Sequence, residues 1–548
     1  MEDKIWVVDD TPSRRYPIYT RGNIGEVFPV VVSPLTWPLY GSQAELGWRD
    51  AFRDFGVYLD SDFGTDPMGI LGCFGGYGYI NASYIRVFAV RTPGLTVDDI
   101  DRLFFGESDA PPYAPQAGDK NIGASLRVAR TLFKTLGTKT LPDLEDDKTR
   151  VAQSIASTPP LGAASDDELL TKVFAFKSEF RRLFGRHIFV SFKATAARGL
   201  LAQICDEKLG DASLPNRLLA GIGEVESAAP SFAMWDLSRL PEGSTQFDDA
   251  FVGFLEEYGC RGPNEWEGSS ETWGTKPDLA LAAIACMRNA TGENSPAFQQ
   301  ERLVAQRERA LTDARARLGR AARFQFDKAL RASAVLSQGR ERSKTTIVKA
   351  IHGIRIVERE LARRARERGG PDSLADMWLV TEGELGRYVA SPKDFLGVID
   401  ERRAQRKWLD SLVPPFVFEG QIPAPDTWER RDAPVELAKV GSSLTGIAGC
   451  PGVARGRARV VLDPLDPRGL GPGDVLVAPI TDPSWTPLFV TAEAVVVDVG
   501  AEMSHAIIVA RELGIPAVVS VTGATRSIPD GALLEVDGDT GIVKVLEA

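Results

Sequence analysis

The spacing of hydrophobic and polar positions changes along this chain, and each change predicts a different kind of element. Residues 1 to about 95 mix aromatic, glycine and proline residues, and alternating runs such as Tyr79–Ile85 predict strands and turns rather than long helices. Farther on, Ser165–Glu168 forms a capping box that opens a helical pattern over Leu169–Phe184. The segment from about Gln299 to Arg368 predicts two or three long amphipathic helices.

A proline-containing segment predicts a linker between two parts of the chain. Between about Val413 and Ser443 the helical pattern gives way to five prolines, and the composition beyond is rich in glycine and valine. Such linkers are semi-rigid spacers that let a domain move as a body. We therefore expect a multidomain α+β protein, with a mainly helical part over residues 1–435 that is β-containing at its N-terminus. A compact β/β/α domain should follow over residues 436–548.

Composition excludes several classes of function. A net charge of −11 and a pI near 5.2 argue against a nucleic-acid surface, and glutamates among the arginines of residues 299–368 favour a solvated basic face. The five cysteines form no CxxC pair, so neither a zinc site nor a disulfide framework is indicated. No signal peptide and no apolar stretch of about 18 residues are recognised, so we expect a cytoplasmic protein without a membrane role.

The C-terminal part places one histidine where it could do chemistry. Two apolar runs, Ala492–Val499 and Ala517–Val521, predict buried strands on either side of a short helix. Ser504 is the expected N-cap and Gly514 the expected C-cap residue of that helix. His505 should therefore lie in the first helical turn.

A histidine at a helix N-terminus is suited to phosphoryl chemistry. Unpaired backbone amides and a partial positive charge favour a neutral ring and attract phosphate, and a neutral imidazole can accept a phosphoryl group and pass it on. The alternative is a structural histidine. The other two histidines, His187 and His352, lie in helical surroundings with no evident chemical constellation.

Spaced motifs in the C-terminal part support the chemical interpretation. They are Gly446–Gly456, Pro472–Val477, Thr481–Pro487, Gly500–Pro516 and Glu535 to Asp539. In this order they resemble the swivelling phosphohistidine domain of the phosphoenolpyruvate-utilising enzymes, which include phosphoenolpyruvate synthase, rifampin phosphotransferase and phenylphosphate synthase. The resemblance implies that His505 is phosphorylated during catalysis.

Motifs in the longer part are similar to the substrate-binding region of the rifampin phosphotransferase group. They are Tyr19–Pro29, Pro34–Trp37, Tyr258–Glu265 and Arg340–Lys344. The resemblance implies an acceptor-binding role for residues 1–435, in which Arg340 and Lys344 clamp the transferring phosphoryl group from one helix face. Asn23 belongs to the predicted substrate-binding set. Arg261 and Glu265 could orient the acceptor or pair with each other.

The sequence identifies neither the acceptor molecule nor the general base that would remove the proton from its hydroxyl. In many of the resembled enzymes histidine stands where this chain has Cys260, so the resemblance leaves the general base unidentified. A phenol would need less help than an aliphatic alcohol to lose its proton. We therefore expect a small phenolic acceptor such as phenol or 4-cresol, as in phenylphosphate synthase. A rifamycin-type phosphotransferase component, a non-catalytic phosphocarrier or regulatory protein, and an inactive paralogue are the alternatives.

No ATP site is recognised in the sequence. The chain contains no GxxxxGK[ST] motif, and neither the ATP-grasp domain nor the pyruvate-binding barrel of the resembled family is identified. We therefore expect a split enzyme of the dikinase type, which converts ATP to AMP and phosphate. A separate ATP-grasp subunit would bind ATP and Mg²⁺, and no metal is expected on this chain.

Overall fold

The structure is a computed structural model that describes most of the chain. The described residues are 4–64, 68–105, 110–223, 226, 229–288, 292, 295–464, 466–467, 469–500 and 504–547. Helices form most of the first 410 residues, and strands dominate the C-terminal hundred. This confirms a multidomain α+β fold.

The α-helices follow one another with short connections. Their bounds are α1 (Ile24–Val27), α2 (Ser42–Phe55), α3 (Ala82–Arg91), α4 (Val97–Phe105), α5 (Ile122–Thr135), α6 (Pro142–Ala156), α7 (Asp166–Leu209), α8 (Leu214–Leu218), α9 (Ala229–Arg239), α10 (Thr245–Tyr258), α11 (Asp278–Met287), α12 (Pro296–Arg317), α13 (Arg320–Glu367), α14 (Glu382–Ala390), α15 (Leu396–Asp410), α16 (Thr486–Thr491), α17 (His505–Leu513) and α18 (Ala524–Ser527). The pair α12 and α13 confirms the long helices predicted for residues 299–368.

Most strands belong to two sheets. Their bounds are β1 (Ile18–Thr20), β2 (Leu71–Phe74), β3 (Tyr77–Asn81), β4 (Leu412–Val413), β5 (Val417–Glu419), β6 (Glu429–Arg430), β7 (Ser443–Thr445), β8 (Ile447–Cys450), β9 (Val453–Val460), β10 (Asp474–Ala478), β11 (Ala494–Val497), β12 (Ala517–Val519), β13 (Leu533–Asp537) and β14 (Ile542–Glu547). The first sheet has the order β2-β3-β1-β5, the second β7-β14-β13-β9-β10-β11-β12-β8, and β4 pairs with β6 alone.

Two long helices, α7 and α13, form the scaffold of the helical part and pack along each other. The predicted capping box starts α7, because Ser165 accepts from the Glu168 amide while the Glu168 carboxylate accepts from the Ser165 amide. Helix α2 crosses α7 where Gly47 meets Gly185, so the two backbones approach closely. This crossing fixes the position of α2 beside the pocket described below.

Helix α7 is also long and apolar enough to cross a membrane when judged by length and composition alone. The helix places Phe176, Phe180 and Leu183 in the main hydrophobic cluster and packs on α2 and α13. A core helix passes the same test, so this is weak evidence for a span. The cytoplasmic location stays a prediction.

The expectation that residues 1 to about 95 lack long helices is wrong. Helix α2 has 14 residues and α3 has 10. The alternating run Tyr79–Ile85 is split: β3 ends at Asn81, whose side chain accepts from the Tyr84 amide at 3.2 Å and starts α3. A capping side chain therefore ended the strand inside a continuous apolar pattern.

The predicted linker is partly structured. Strand β5 pairs with β1 across Tyr19 and Phe418, and β4 pairs with β6, so this segment packs on the N-terminal part up to Arg430. Residues 431–442 contain no helix or strand. The linker is therefore shorter than the prolines suggested, and the division at residue 435 stays a prediction.

The C-terminal sheet carries helices against both of its faces. Its centre, β9-β10-β11-β12, is parallel, and both predicted strands of this region are present as β11 and β12. One face packs α16 and α17 into a cluster that also includes Met234, Trp235 and Trp273 of the helical part. The other face packs α18 under Val475 and Val496. The shared cluster holds the start of α17 against the helical part.

Candidate functional site

His505 is the first residue of α17, as the sequence predicts. Ser504 caps the helix by accepting from the Ile507 amide at 3.5 Å, and Gly514 ends it with a left-handed φ of 65°. The residues between β11 and Ser504, numbers 501–503, lie outside the described part of the chain. The strand-loop-helix order therefore presents the imidazole beyond the carboxyl ends of the parallel strands.

The His505 ring is buried among two hydroxyls and an aromatic ring. Nδ1 lies 3.2 Å from Thr481 Oγ1, Nε2 lies 3.4 Å from Thr486 Oγ1, and the Phe489 ring stands edge-on with its centroid 6.1 Å away. Burial lowers the pKa of His505 well below its ordinary value, and the charges of Lys344 and Arg261 lower it further. A neutral ring, as a nucleophile requires, is therefore favoured.

Arg340 and Lys344 lie one turn apart on α13 and line a pocket together with His505. Arg340 forms an ion pair with Glu341, and Lys344 Nζ lies 3.8 Å from Glu265 Oε1. Much of the remaining lining is aromatic: Phe28, Tyr40, Trp48, Phe180, Phe184 and Trp266. Two cations and a neutral histidine therefore line the same cavity as six aromatic side chains.

Arg261 and Glu265 pair with each other in the turn after α10. Arg261 Nη1 lies 3.0 and 3.1 Å from the two Glu265 oxygens, and each side chain is only 2 % exposed. Arg261 Nη2 donates to Thr345 Oγ1 at 2.6 Å. Glu265 lines the pocket, and the pair braces the segment beside Lys344. Whether either residue also contacts an acceptor stays a prediction.

Two asparagines with left-handed backbones border the pocket. Asn23 precedes α1 with a φ of 70°, and Asn264 has a φ of 50°. The Asn264 amide donates to Asp482 Oδ2 at 3.0 Å, which ties the helical part to the loop after β10. Asparagine tolerates this conformation better than most residues, so both turns are accessible to the sequence. The substrate contact predicted for Asn23 remains untested.

Asp482 lies within the motif Thr481–Pro487, but the sequence did not identify it as a site residue. Burial raises the pKa of Asp482 to about 6, although its hydrogen bonds with Ser484 and Asn264 lower it. Its carboxylate lies in the pocket wall next to Thr481. The half-buried Asp482 carboxylate, which joins the two parts of the chain, is therefore sensitive to pH. The motif Thr481–Pro487 was the feature of the sequence that could have identified Asp482.

His187 is the residue that sequence reasoning missed most clearly. Together with Phe184 it lines the His505 pocket, whereas His352 hydrogen-bonds Thr272 outside the lining. The signal was the helical spacing of Phe180, Phe184 and His187, which places them on one side of α7.

Cys260 is buried outside the pocket lining. Burial raises the pKa of its thiol to about 11, so the group stays protonated at neutral pH. Among the described residues, no group of three or more histidine, cysteine or acidic side chains could hold a metal ion.

Two family models match segments of the chain that contain residues of the site. Residues 470–541, which include His505, match the family described as PEP-utilising enzyme, mobile domain. This segment is therefore similar to a PEP-utilising mobile domain. Residues 237–341, which include Arg261, Glu265 and Arg340, match the rifampicin phosphotransferase fourth domain.

The chain is homologous to rifampicin phosphotransferases. It is 30 % identical to the rifampicin phosphotransferase of Bacillus subtilis over 313 residues, which are 56 % of this chain and 35 % of the relative. The prodigiosin synthesizing transferase PigC of Serratia marcescens is 32 % identical over 55 % of this chain and 34 % of its own length. An uncharacterised protein of Mycobacterium tuberculosis is 35 % identical over 57 % of this chain and 33 % of its own length. The chain thus spans about a third of the length of these relatives.

Proposed function

We propose that this protein is the acceptor-binding, phosphohistidine-bearing part of an ATP-dependent phosphotransferase. His505 takes up a phosphoryl group derived from ATP and passes it to a hydroxyl of a molecule bound in the pocket. The observation that carries the proposal is that His505, Arg340 and Lys344 line the same cavity. Homology to rifampicin phosphotransferases supports the same class of reaction.

The residues around His505 suit the transfer step. The acceptor oxygen forms a new bond to phosphorus while the phosphorus–nitrogen bond to the His505 ring breaks, and the electron pair of that bond stays on the ring. Arg340 and Lys344 offset the negative charge of the transferring group, and cations fixed at such a site contribute strongly to the rate. With a proton on its other ring nitrogen, His505 leaves as a neutral imidazole, which is a good leaving group.

The lining of the pocket favours a small aromatic acceptor. Six aromatic side chains line the same cavity as His505 and the two cations, so a phenol could stack its ring while its hydroxyl points toward His505. Phenol and 4-cresol are the acceptors that we propose. A rifamycin-type acceptor is the second candidate, because residues 237–341 match the rifampicin phosphotransferase fourth domain and the Bacillus subtilis relative is a rifampicin phosphotransferase.

Charging of His505 must take place in another position of the mobile domain. The ring is only 7 % exposed in this arrangement, so a nucleotide cannot reach it here. We propose that the domain turns about residues 431–442 to meet an ATP-grasp domain on a partner subunit, where ATP and Mg²⁺ bind. The same turn in reverse delivers the phosphoryl group to the pocket.

The test is to follow the phosphoryl group on this chain. The protein is incubated with Mg²⁺ and ATP labelled in the β and γ positions, with and without an ATP-grasp protein. We expect acid-labile, base-stable label on wild type and on His352→Gln but none on His505→Gln. Label that survives His505→Gln contradicts the proposal. Label that forms without the ATP-grasp protein contradicts the split arrangement only.

Acceptors are then added to the labelled protein. Discharge by phenol or 4-cresol supports the phenolic acceptor, and discharge by rifampicin alone supports the second candidate. Transfer only to another protein would identify a phosphocarrier instead.

A further inference from the structure

The transfer proposed above requires a group that removes the proton of the acceptor hydroxyl. Cys260 is unsuited, since its thiol is buried outside the pocket lining with a pKa of about 11. Glu265 is held by Arg261, and Lys344 is a cation. His187 is a further ionisable group in the lining and has no role in the steps described so far.

The hydrogen bonds of His187 determine which ring nitrogen carries the proton. Nδ1 lies 2.9 Å from Ser343 Oγ, and the Ser343 hydroxyl donates its one proton to the Arg340 carbonyl at 2.8 Å. Nδ1 is therefore the protonated nitrogen and acts as the donor.

The other nitrogen of this ring is consequently a bare acceptor. No group in the described part of the chain hydrogen-bonds to His187 Nε2, and this nitrogen is not among the fully enclosed polar atoms without a partner. His187 lines the cavity proposed for the acceptor, and Nε2 is the ring nitrogen that the neighbouring side chains leave available to it. The packing of α7 on α13 holds the ring in this orientation.

The ring also lies close to the place where the phosphoryl group is handled. Arg340 and Lys344 are near enough to act on the charge of His187, and Lys344 acts on His505 as well. His187 and His505 thus line one cavity and have Lys344 as a common neighbouring cation. One carries the phosphoryl group, and the other has a free lone pair.

We propose that His187 is the general base of the acceptor site. This proposal rests on the function proposed above. In the transfer step, Nε2 of His187 takes the proton of the acceptor hydroxyl, and the acceptor oxygen bonds to phosphorus. The phosphorus–nitrogen bond to His505 breaks and leaves its electron pair on that ring. His187 then releases its proton to solvent after the phosphate ester leaves.

The charge of the phosphoryl group prepares His187 for this step. Without a phosphoryl group, burial and, to a smaller extent, the charges of Arg340 and Lys344 lower the pKa of His187 to about 3. A bound phosphoryl group offsets these two cations, and an imidazolium beside it is stabilised. The base therefore gains strength when the group to be transferred is present.

The experiment compares acceptors that do and do not need a base. His187→Asn keeps an N–H that can donate to Ser343 but lacks the Nε2 lone pair, and His352→Asn is the matched control. Discharge of labelled His505 by 4-cresol should slow about 10²- to 10³-fold in His187→Asn. Discharge by 4-nitrophenol, which is largely ionised at about pH 8, should change less than about threefold. Charging of His505 should be unaffected in all variants.

Two outcomes overturn the proposal. One is that His187→Asn slows the discharge of labelled His505 equally with both phenols, which indicates a structural role. The other is that it slows discharge with neither phenol. Failure of wild type to transfer to any phenol refutes the acceptor of the proposed function instead. In that case ¹⁵N spectra of the protein labelled at histidine still show which His187 nitrogen carries the proton. The chain has only three histidines, so their signals can be assigned. We expect His187 as the Nδ1–H form with a bare Nε2. A proton on Nε2 overturns the proposal.

Discussion

The buried ion pair of Arg261 and Glu265 allows a quantitative prediction. Replacing Arg261 by Met removes two contacts of 3.0 and 3.1 Å and leaves a carboxylate that is only 2 % exposed. Breaking a buried pair from one side costs about 3 to 5 kcal/mol. Lys344, at 3.8 Å, offsets part of this loss, so the lower end of the range applies.

Protonation of the unpaired Glu265 carboxylate limits how much stability Arg261→Met can lose. A buried unpaired carboxylate can take up a proton instead, which from the ordinary glutamate pKa of about 4.3 costs about 3.7 kcal/mol at about pH 7. We therefore expect Arg261→Met to lower the free energy of unfolding by about 3 to 4 kcal/mol at pH 7. Because the folded variant binds the extra proton, the deficit should shrink to about 1 kcal/mol at about pH 5.

Urea denaturation at both pH values measures this deficit. The double variant Arg261→Met with Glu265→Leu is the control, because it removes both charges and should recover most of the lost stability. A deficit below about 1 kcal/mol at pH 7, or a double variant as unstable as the single one, would refute the reasoning.

Three further predictions concern Lys344, the carboxylate of Asp482, and the crossing of α2 with α7 at Gly47. Lys344→Met should leave labelled His505 intact but slow its discharge by roughly 10²-fold or more, and unchanged discharge speaks against the clamp. Asp482 has its pKa raised to about 6 from 3.8. Its contribution to stability is therefore present below about pH 4 and lost as the pH rises through 6, a difference of about 3 kcal/mol. Asp482→Asn should flatten this slope in urea denaturation, and an unchanged slope counts against it. Gly47→Ala should cost about 1 to 3 kcal/mol, because its Cβ would lie 2.9 Å from the Gly185 backbone nitrogen. Gly199→Ala on α7, which meets nothing within 4 Å, is its control and should not destabilise in thermal denaturation.

The sequence by itself determined the features that depend on neighbouring residues. Helix α17, its cap Ser504 and the place of His505 in the first turn follow from short-range hydrogen bonds, and so does the capping box of α7. The parallel strands β11 and β12 follow from continuous apolar runs buried on both faces. Each of these elements could be predicted because its determinants lie within about ten residues of one another.

Only the tertiary structure decided which distant residues meet. The pocket joins Asn23, His187, Arg340 and His505 from separate elements, and no local pattern encodes such a meeting. The role of His187 depends on packing of α7 against α13, which turns the ring toward Ser343 and leaves one nitrogen open. Side chains that appeared structural by their spacing thus acquired chemistry through long-range packing, because close-packed helices fix the orientation of rings that the chain alone leaves free to rotate.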